Sequence, residues 1–593
     1  MRNLDPTSIT IIARGLHAAA AEMGANLVRS AFSTVVREAQ DCSTALIDVD
    51  GNVVAQADMI PVQTAAIGIS FKESMKALAI PRIEPGYAIL MNDPYFGGQH
   101  LNDLILFTPI YHDGALLGYS GSTAHHLDIG GGVAGVNASA TELLQEGLVF
   151  PPTLFEIARD WNGGLLESFL AANVRTPELS IGDMNAQFAA NYTGEQRLCE
   201  LADKFGADAV RYAMAEVQDY SERRIRAAFE RIPDGTYTGK AFIDQDVFDP
   251  NPVRIAVELR IEGSDVWMDF AGTDPQLKSM FNCPVASAHA AAFAAMRSII
   301  PDKDLPSNDG CNRPLHLSFA KGTLLNPHRP AAVRARMTSA YRTFDAVHDA
   351  LSKAMPDWIP AQGYNCTTAF YIWQRRKDGR YRIFVDILGG GYGAGREYDG
   401  ESAVANILGN CRNTPVESIE QIHDHLRIRS YAMLPDSGGA GEWSGGLGMC
   451  REFTVLEDDV VLNLYADRFK FAPQGFHDGQ PGNKGSLSVI RGDQVIPLSA
   501  TAEFALERGD VVRLAVGGGG GFGDPSRRPR EKIERDIDNQ HITLDHAAEA
   551  YGYQPSPAQV ISESGVRAFE KKRRIRLICC CKTSKPTKGD TPL

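Results

Sequence analysis

The chain has 593 residues, which at roughly 100–200 residues per domain makes about three or four domain-sized units with a large buried core. Hydrophobic residues make up 44% and charged residues 22%, a globular composition that excludes a disordered or fibrous protein. The net charge of −14 argues against a nucleic-acid backbone as the main partner, because phosphate binding is driven by a surplus of Lys and Arg.

Asp5 and Pro6 open a helix, Asp at the cap and Pro in the first turn. The apolar positions Ile9, Ile12, Leu16, Ala20, Met23 and Leu27 recur at threes and fours and predict one buried face. This N-terminus has no uninterrupted apolar stretch like a signal-peptide core, and no later run of about 18 apolar residues could span a bilayer; the expectation is a cytoplasmic protein. "STALIDVDGNVVAQ" alternates around Asp50-Gly51 and predicts a hairpin. "NDPYFGGQHLNDLILF" then gathers Asp93, His100 and Asp103 among turn-forming residues, and "STAHHLDIGGG" adds His125, His126 and Asp128. Between them lies a second hairpin signal with Asp113-Gly114 at its tip. A two-residue turn there sets His112 opposite Ala115 and, counting outward, Asn102 opposite His125 and Asp103 opposite Ala124. The two ligand-rich stretches thereby become neighbours at the open end.

From about Leu154 to Arg231 the sequence reads mainly helical, and Pro233-Asp234-Gly235 marks a turn. Strands such as "RIAVELRI" and "VWMDFAG" follow, mixed with the Ala-rich helix "ASAHAAAFAAMRSII". The fold class is therefore α+β with a multi-domain mixed architecture: a helical and hairpin-rich N-terminal half, and a C-terminal half rich in strands and glycine turns. The expected units are a metal-site region at 1–232, a mixed β-rich region at 233–525, a helical segment at 526–570 and a disordered basic tail at 571–593. Seven of the ten cysteines are scattered singly without a C-x-x-C pair, as packed, reduced thiols would be. "GGGYGAGREYDG" and "GGGGGFGDP" offer possible anion nests, yet neither carries a dinucleotide fingerprint and no G-x-x-x-x-G-K-[ST] loop occurs. Turn-making is their expected role, and ATP chemistry is left to a partner.

Two His and two Asp supply the mixed nitrogen and oxygen set that zinc, manganese or iron favours. The preferred ligands are His100, Asp103 and His125, completed by Asp41 from the segment after the first helix. Spacing alone leaves open the alternative that these residues cap turns. Asp93 is expected to brace its loop, His126 and Asp128 to orient ligands or steer a proton, and Cys42 to pack.

The stretches "EMGANLVRSAFSTVVREAQDCSTALIDVDGNVVAQ", "NDPYFGGQHLND", "AHHLDIGG", "EGLVFPP", "DFAGTDPQ", "LGGGYGAGREYDG", "NTPVE", "DSGGAGEWSGGLG" and "GGGGGFGDP" together resemble the hydantoinase B family. That family includes the corresponding subunits of ATP-dependent hydantoinases and lactamases, the C-terminal half of 5-oxoprolinase and the alpha subunit of acetone carboxylase. The resemblance runs from Asp5 to about Phe569. It implies a subunit that holds a catalytic divalent metal on Asp41, His100, Asp103 and His125, with His126 and Asp128 beside it as catalytic residues. It further implies a hetero-oligomer with an A-type ATP-binding subunit, a small cyclic amide substrate, and neither nucleic acid nor membrane as partner. In the implied mechanism the partner, with ATP and Mg, phosphorylates the amide oxygen, and water activated by the metal attacks the carbon. A same-family alternative is an ATP-dependent carboxylase of acetone or an aromatic ketone; an alternative of another class is a noncatalytic scaffold subunit with a structural metal. One departure stands out: where many relatives read Pro-Val-His, this chain has Pro61-Val62-Gln63, and glutamine cannot take a proton as imidazole does.

Overall fold

The computed structural model describes residues 5–405 and 407–554. The tail expected at 571–593, and the end of the helical segment expected at 526–570, lie outside the described residues. Within that segment, helices Arg530–Asp538 and Leu544–Tyr551 are present. Among the described residues no helix is long and apolar enough to cross a membrane.

The first helix spans Pro6–Ser30, capped by Asp5, whose Oδ1 accepts from the backbone N–H groups of Thr7 and Ser8 at 3.0 and 3.1 Å. Its buried stripe, Ile12, Leu16, Ala20, Met23 and Leu27, is the predicted one, with Ile9 half-buried at its start. It packs along the helix Pro177–Phe205.

Both lie against a six-stranded antiparallel sheet made of β1 (Cys42–Ile47), β2 (Val53–Gln56), β3 (Tyr87–Met91), β4 (Asp103–His112), β5 (Ala115–His125) and β6 (Thr153–Glu156), in the order β2-β1-β5-β4-β3-β6. The helix Pro61–Leu78 covers one face, with Ile67 and Phe71 against Ile105, Phe107 and Tyr119. On the other face Gln187 of the Pro177–Phe205 helix donates from Nε2 to the carbonyls of Leu104 and Ser122. Cover on both faces explains why "LILF" in β4 is continuously apolar instead of alternating.

The β4–β5 hairpin turns through Asp113 and Gly114, both at positive φ (50° and 76°), as its two-residue turn requires. His112 faces Ala115 as predicted, but the register then shifts: Tyr111 faces Leu116 while Ile110 faces Gly118. The extra residue in β5, a bulge, moves every later pair by one position. Asp103 therefore faces His125, not Ala124, and the predicted Asn102–His125 pairing is corrected.

A second sheet, β7 (Gly235–Ile243), β8 (Val253–Glu262), β9 (Asp265–Asp269) and β10 (Leu315–Ser318), runs β10-β9-β8-β7. In β8 buried and more exposed residues alternate, and Ile255, Val257 and Leu259 share a core with the helices Val285–Ser298 and Arg336–Ala354. Further along come β11 (Thr368–Arg375), β12 (Tyr381–Leu388), β13 (Leu426–Met433), β14 (Met449–Val455), β15 (Val460–Tyr465), β16 (Ser486–Arg491), β17 (Gln494–Leu498), β18 (Thr501–Leu506) and β19 (Val511–Ala515). They form two sheets, β12-β11-β15-β18 and β13-β14-β19-β16-β17.

The glycine runs do not serve mainly as turns. In Gly517–Gly521 no residue takes a positive φ; only Gly523 beyond it does (76°). The run instead threads between other backbone segments: Gly391, Gly439, Ala394 and Phe476 donate to the carbonyls of Gly517, Gly519, Gly520 and Gly521 at 2.8–3.1 Å. In return, the N–H groups of Gly519, Gly520 and Gly521 reach the carbonyls of Gly446, Gln362 and Gln480 at 2.8–2.9 Å. Glycine is needed here because a Cβ on Gly519 would overlap Tyr392 backbone, so close approach, not turning, selects the residue.

Candidate metal centre

Strand order gathers the candidate ligands. Because β5 lies between β1 and β4, Asp41 just before β1, His125 at the end of β5 and Asp103 at the start of β4 stand side by side. The backbone of His125 donates to the Asp41 carbonyl at 3.0 Å, and Asp103 is the ladder partner of His125. His100 precedes Asp103 in a turn closed by a 3.1 Å bond from the Asp103 N–H to its carbonyl.

Ligand atoms of His100, Asp103 and His125 all lie within 4.8 Å of one another, and all three residues are buried. His100 Nδ1 is 3.1 Å from Asp103 Oδ2, while His125 Nδ1 is 3.6 Å from both Asp103 Oδ1 and Asp41 Oδ2. Asp41 thus flanks the tight trio on the His125 side. His100 Nδ1 makes no hydrogen bond despite its burial, so a buried polar atom is left facing the carboxylates.

The electrostatics hold the forms that bind a cation. Burial, reinforced by the Arg336 charge, pushes the His100 imidazole well below its usual pKa and keeps it neutral. Burial opposes ionisation of Asp103, but His100 and Arg336 outweigh it and hold the carboxyl well below the usual range. Burial raises Asp41, against the pull of His125. Two imidazole nitrogens and carboxylate oxygens converging in a buried cleft fit zinc, manganese or iron.

The structure separates the two adjacent histidines. The His126 ring meets Gln187 Oε1 through Nε2 at 3.1 Å. Since Gln187 Nε2 already donates to two carbonyls, its oxygen is the end that faces His126, and His126 Nε2 carries the proton. Asp128 does not pair with His126; its Oδ1 binds Arg175 Nη1 at 3.0 Å. Neither His126 nor Asp128 lines the cavity that Asp41, His100, Asp103 and His125 share. Asp93 braces its loop, capping Tyr95 and binding Arg329 at 2.7 Å. Cys42 is fully buried, and burial pushes its thiol well above the ordinary range, as packing requires.

Other residues of the cavity were not legible beforehand. Arg336, in the first turn of a distant helix, donates from Nη2 to Asp103 Oδ2 and Gln99 Oε1, both at 2.8 Å. Gln63 donates from Nε2 to Asp41 Oδ1 at 2.8 Å and Asp103 Oδ1 at 3.3 Å. Tyr371, Asp386 and Tyr465 close the far wall, so the N-terminal, middle and C-terminal parts of the chain all contribute. Tyr371 is held by Arg334, whose Nη2 donates to its hydroxyl at 2.7 Å. Only Gln63 had a sequence signal, its place in "PVQ"; nothing in the spacing links Arg336 to Asp103.

The family model described as hydantoinase B/oxoprolinase matches residues 5–525. The B-type subunit of a putative D-/L-hydantoinase from Pseudomonas sp. (strain NS671) is 32% identical over 601 residues, covering 98% of this chain and 99% of that one. The crystal structure of the ATP-dependent caprolactamase from Pseudomonas jessenii superposes with a TM-score of 0.86 at 26% identity, over 94% of this chain and 98% of the other. A nucleotide-free acetone carboxylase structure superposes at 0.82 with 19% identity, over 98% of this chain and 84% of the other, a likeness of fold.

Proposed function

The chain belongs to the hydantoinase B/oxoprolinase family, and on that premise we propose that it is the metal-bearing B-type subunit of an ATP-dependent hydrolase that opens a hydantoin, 5-oxoproline or related lactam ring. The observation that carries this reading is the buried His100, Asp103 and His125 trio with Asp41 beside it. These four residues would hold the cation. A divalent metal supplies Lewis acidity there, making water a nucleophile at neutral pH. The chain's own residues do the rest: Arg336 and Gln63 orient the ligand carboxylates, and the walls of the cavity limit water. His126 acts as a positioning residue, through the strand end that bears His125.

ATP activation belongs to an A-type partner, since the sequence has no phosphate loop and the similar proteins are named as subunits of ATP-dependent enzymes. Purified alone, this chain is expected to release no phosphate in response to a cyclic amide; with the A-type subunit added, phosphate release and ring opening should appear together. Robust ATPase activity from a partner-free sample would refute the assignment. Bicarbonate-dependent ATP hydrolysis with a ketone would favour the carboxylase reading instead.

His126→Ala is expected to keep most of its metal and lose about 10- to 100-fold in activity, as supporting residues around metal ligands do. Metal content and turnover measured together on the reconstituted complex decide the point. Loss of the metal from His126→Ala alone, with His125→Ala still loaded, would reverse the roles of the two histidines.

A further inference from the structure

Two buried polar atoms of the cavity residues lack partners, and they are of opposite kind. Gln63, 3% exposed, sits in the first turn of the Pro61–Leu78 helix and gives its Nε2 to Asp41 and Asp103. Two carboxylate oxygens at one end of an amide fix that end as nitrogen, so the acceptor Oε1 is the end left unpaired. Arg336, also 3% exposed, commits Nη2 to Asp103 and Gln99 and leaves its Nε–H donor unpaired. Both side chains line the same cavity and flank the same carboxylate, Asp103. A buried acceptor and a buried donor left open in one cleft describe a ligand with the complementary pair.

Resting on the ring-opening reading above, we propose that Gln63 Oε1 and Arg336 Nε recognise the N–H and the C–O groups of a cyclic secondary amide. A small ring holds its amide cis, so N–H and C=O project from one edge; in an open-chain amide, which is trans, they project from opposite edges. A side-by-side acceptor and donor therefore engage both groups of a ring amide and only one of a chain amide. The bond to Gln63 also keeps the proton on the ring nitrogen after the oxygen carries a phosphoryl group, which maintains the carbon as an electrophile. Glutamine does this without exchanging a proton of its own.

The test uses the full-length chain loaded with zinc or manganese and free of partner, so that no ATP subunit contributes a second ring site. Binding of 2-pyrrolidinone, ε-caprolactam and hydantoin is titrated by NMR, each beside its N-methylated derivative, with metal content measured in every sample. The wild type is expected to bind an N–H ring about ten-fold or more tighter than its N-methyl form. Gln63→Leu should erase that preference, and Arg336→Met should weaken both forms by about ten-fold, because both keep the carbonyl. A wild type that binds rings but ignores N-methylation overturns the inference and leaves the ring-opening reading standing, and this comparison needs no variant to fold. Full preference in Gln63→Leu, or unchanged binding in Arg336→Met, also overturns it. A metal-loaded chain that binds none of the rings sinks both the inference and the reading beneath it.

Discussion

His100→Ala and His125→Ala are each expected to purify with little of the wild-type metal and to support no ring opening beside the partner subunit. Each removes one nitrogen from a trio whose ligand atoms lie within 4.8 Å of one another. No neighbour can replace it: the His126 ring is engaged with Gln187, and Arg336 presents only donors. Losing a residue that merely supports a ligand weakens metal binding about 10- to 100-fold, so losing a ligand should cost at least that. The fold should survive, because the two rings face carboxylates and a cleft and are not among the apolar residues of the core clusters. Elemental analysis beside a thermal melt checks this, and wild type stripped with a chelator should behave like the variants. Full metal occupancy in both variants would remove these residues from the site.

Gly519→Ala is expected to destabilise the protein by about 3 kcal/mol or more, a large effect for one methyl group. The methyl would overlap the carbonyl of Tyr392 and the backbone of Gly393. Neither atom is the end of a flexible side chain, so relief requires a backbone shift. Such a shift breaks bonds on both sides, since Gly519 donates to Gly446 and accepts from Gly439, at 2.9 and 2.8 Å. Denaturant unfolding of Gly519→Ala against wild type is the measurement. Gly492→Ala is a useful control for volume: its added Cβ meets nothing within 4 Å, although its φ of 60° brings some backbone strain. Equal stability of Gly519→Ala and wild type would mean the glycine mesh is looser than its hydrogen bonds indicate.

Much of this molecule is written locally in its sequence. The Asp5 cap and the stripe from Ile12 to Leu27 specify the first helix, because a helix brings residues three and four apart onto one face. Asp50-Gly51 and Asp113-Gly114 mark hairpins, because those turns need positive φ or short polar side chains. The hairpin also brought the two histidine-bearing stretches together, and the family resemblance pointed to the same four ligand candidates. Other features depended on separate segments meeting. The one-residue bulge that sets Asp103 opposite His125 leaves no mark in the alternation of a strand buried on both faces. Runs of glycine look alike whether they turn or pass close to other backbones, and only packing told these apart. Arg336 reaches Asp103 across 233 positions, a contact that no spacing rule encodes. Periodicity and turn chemistry are local forces and so can be read along the chain, whereas the donors, walls and register of the cavity exist only where distant segments are held against one another.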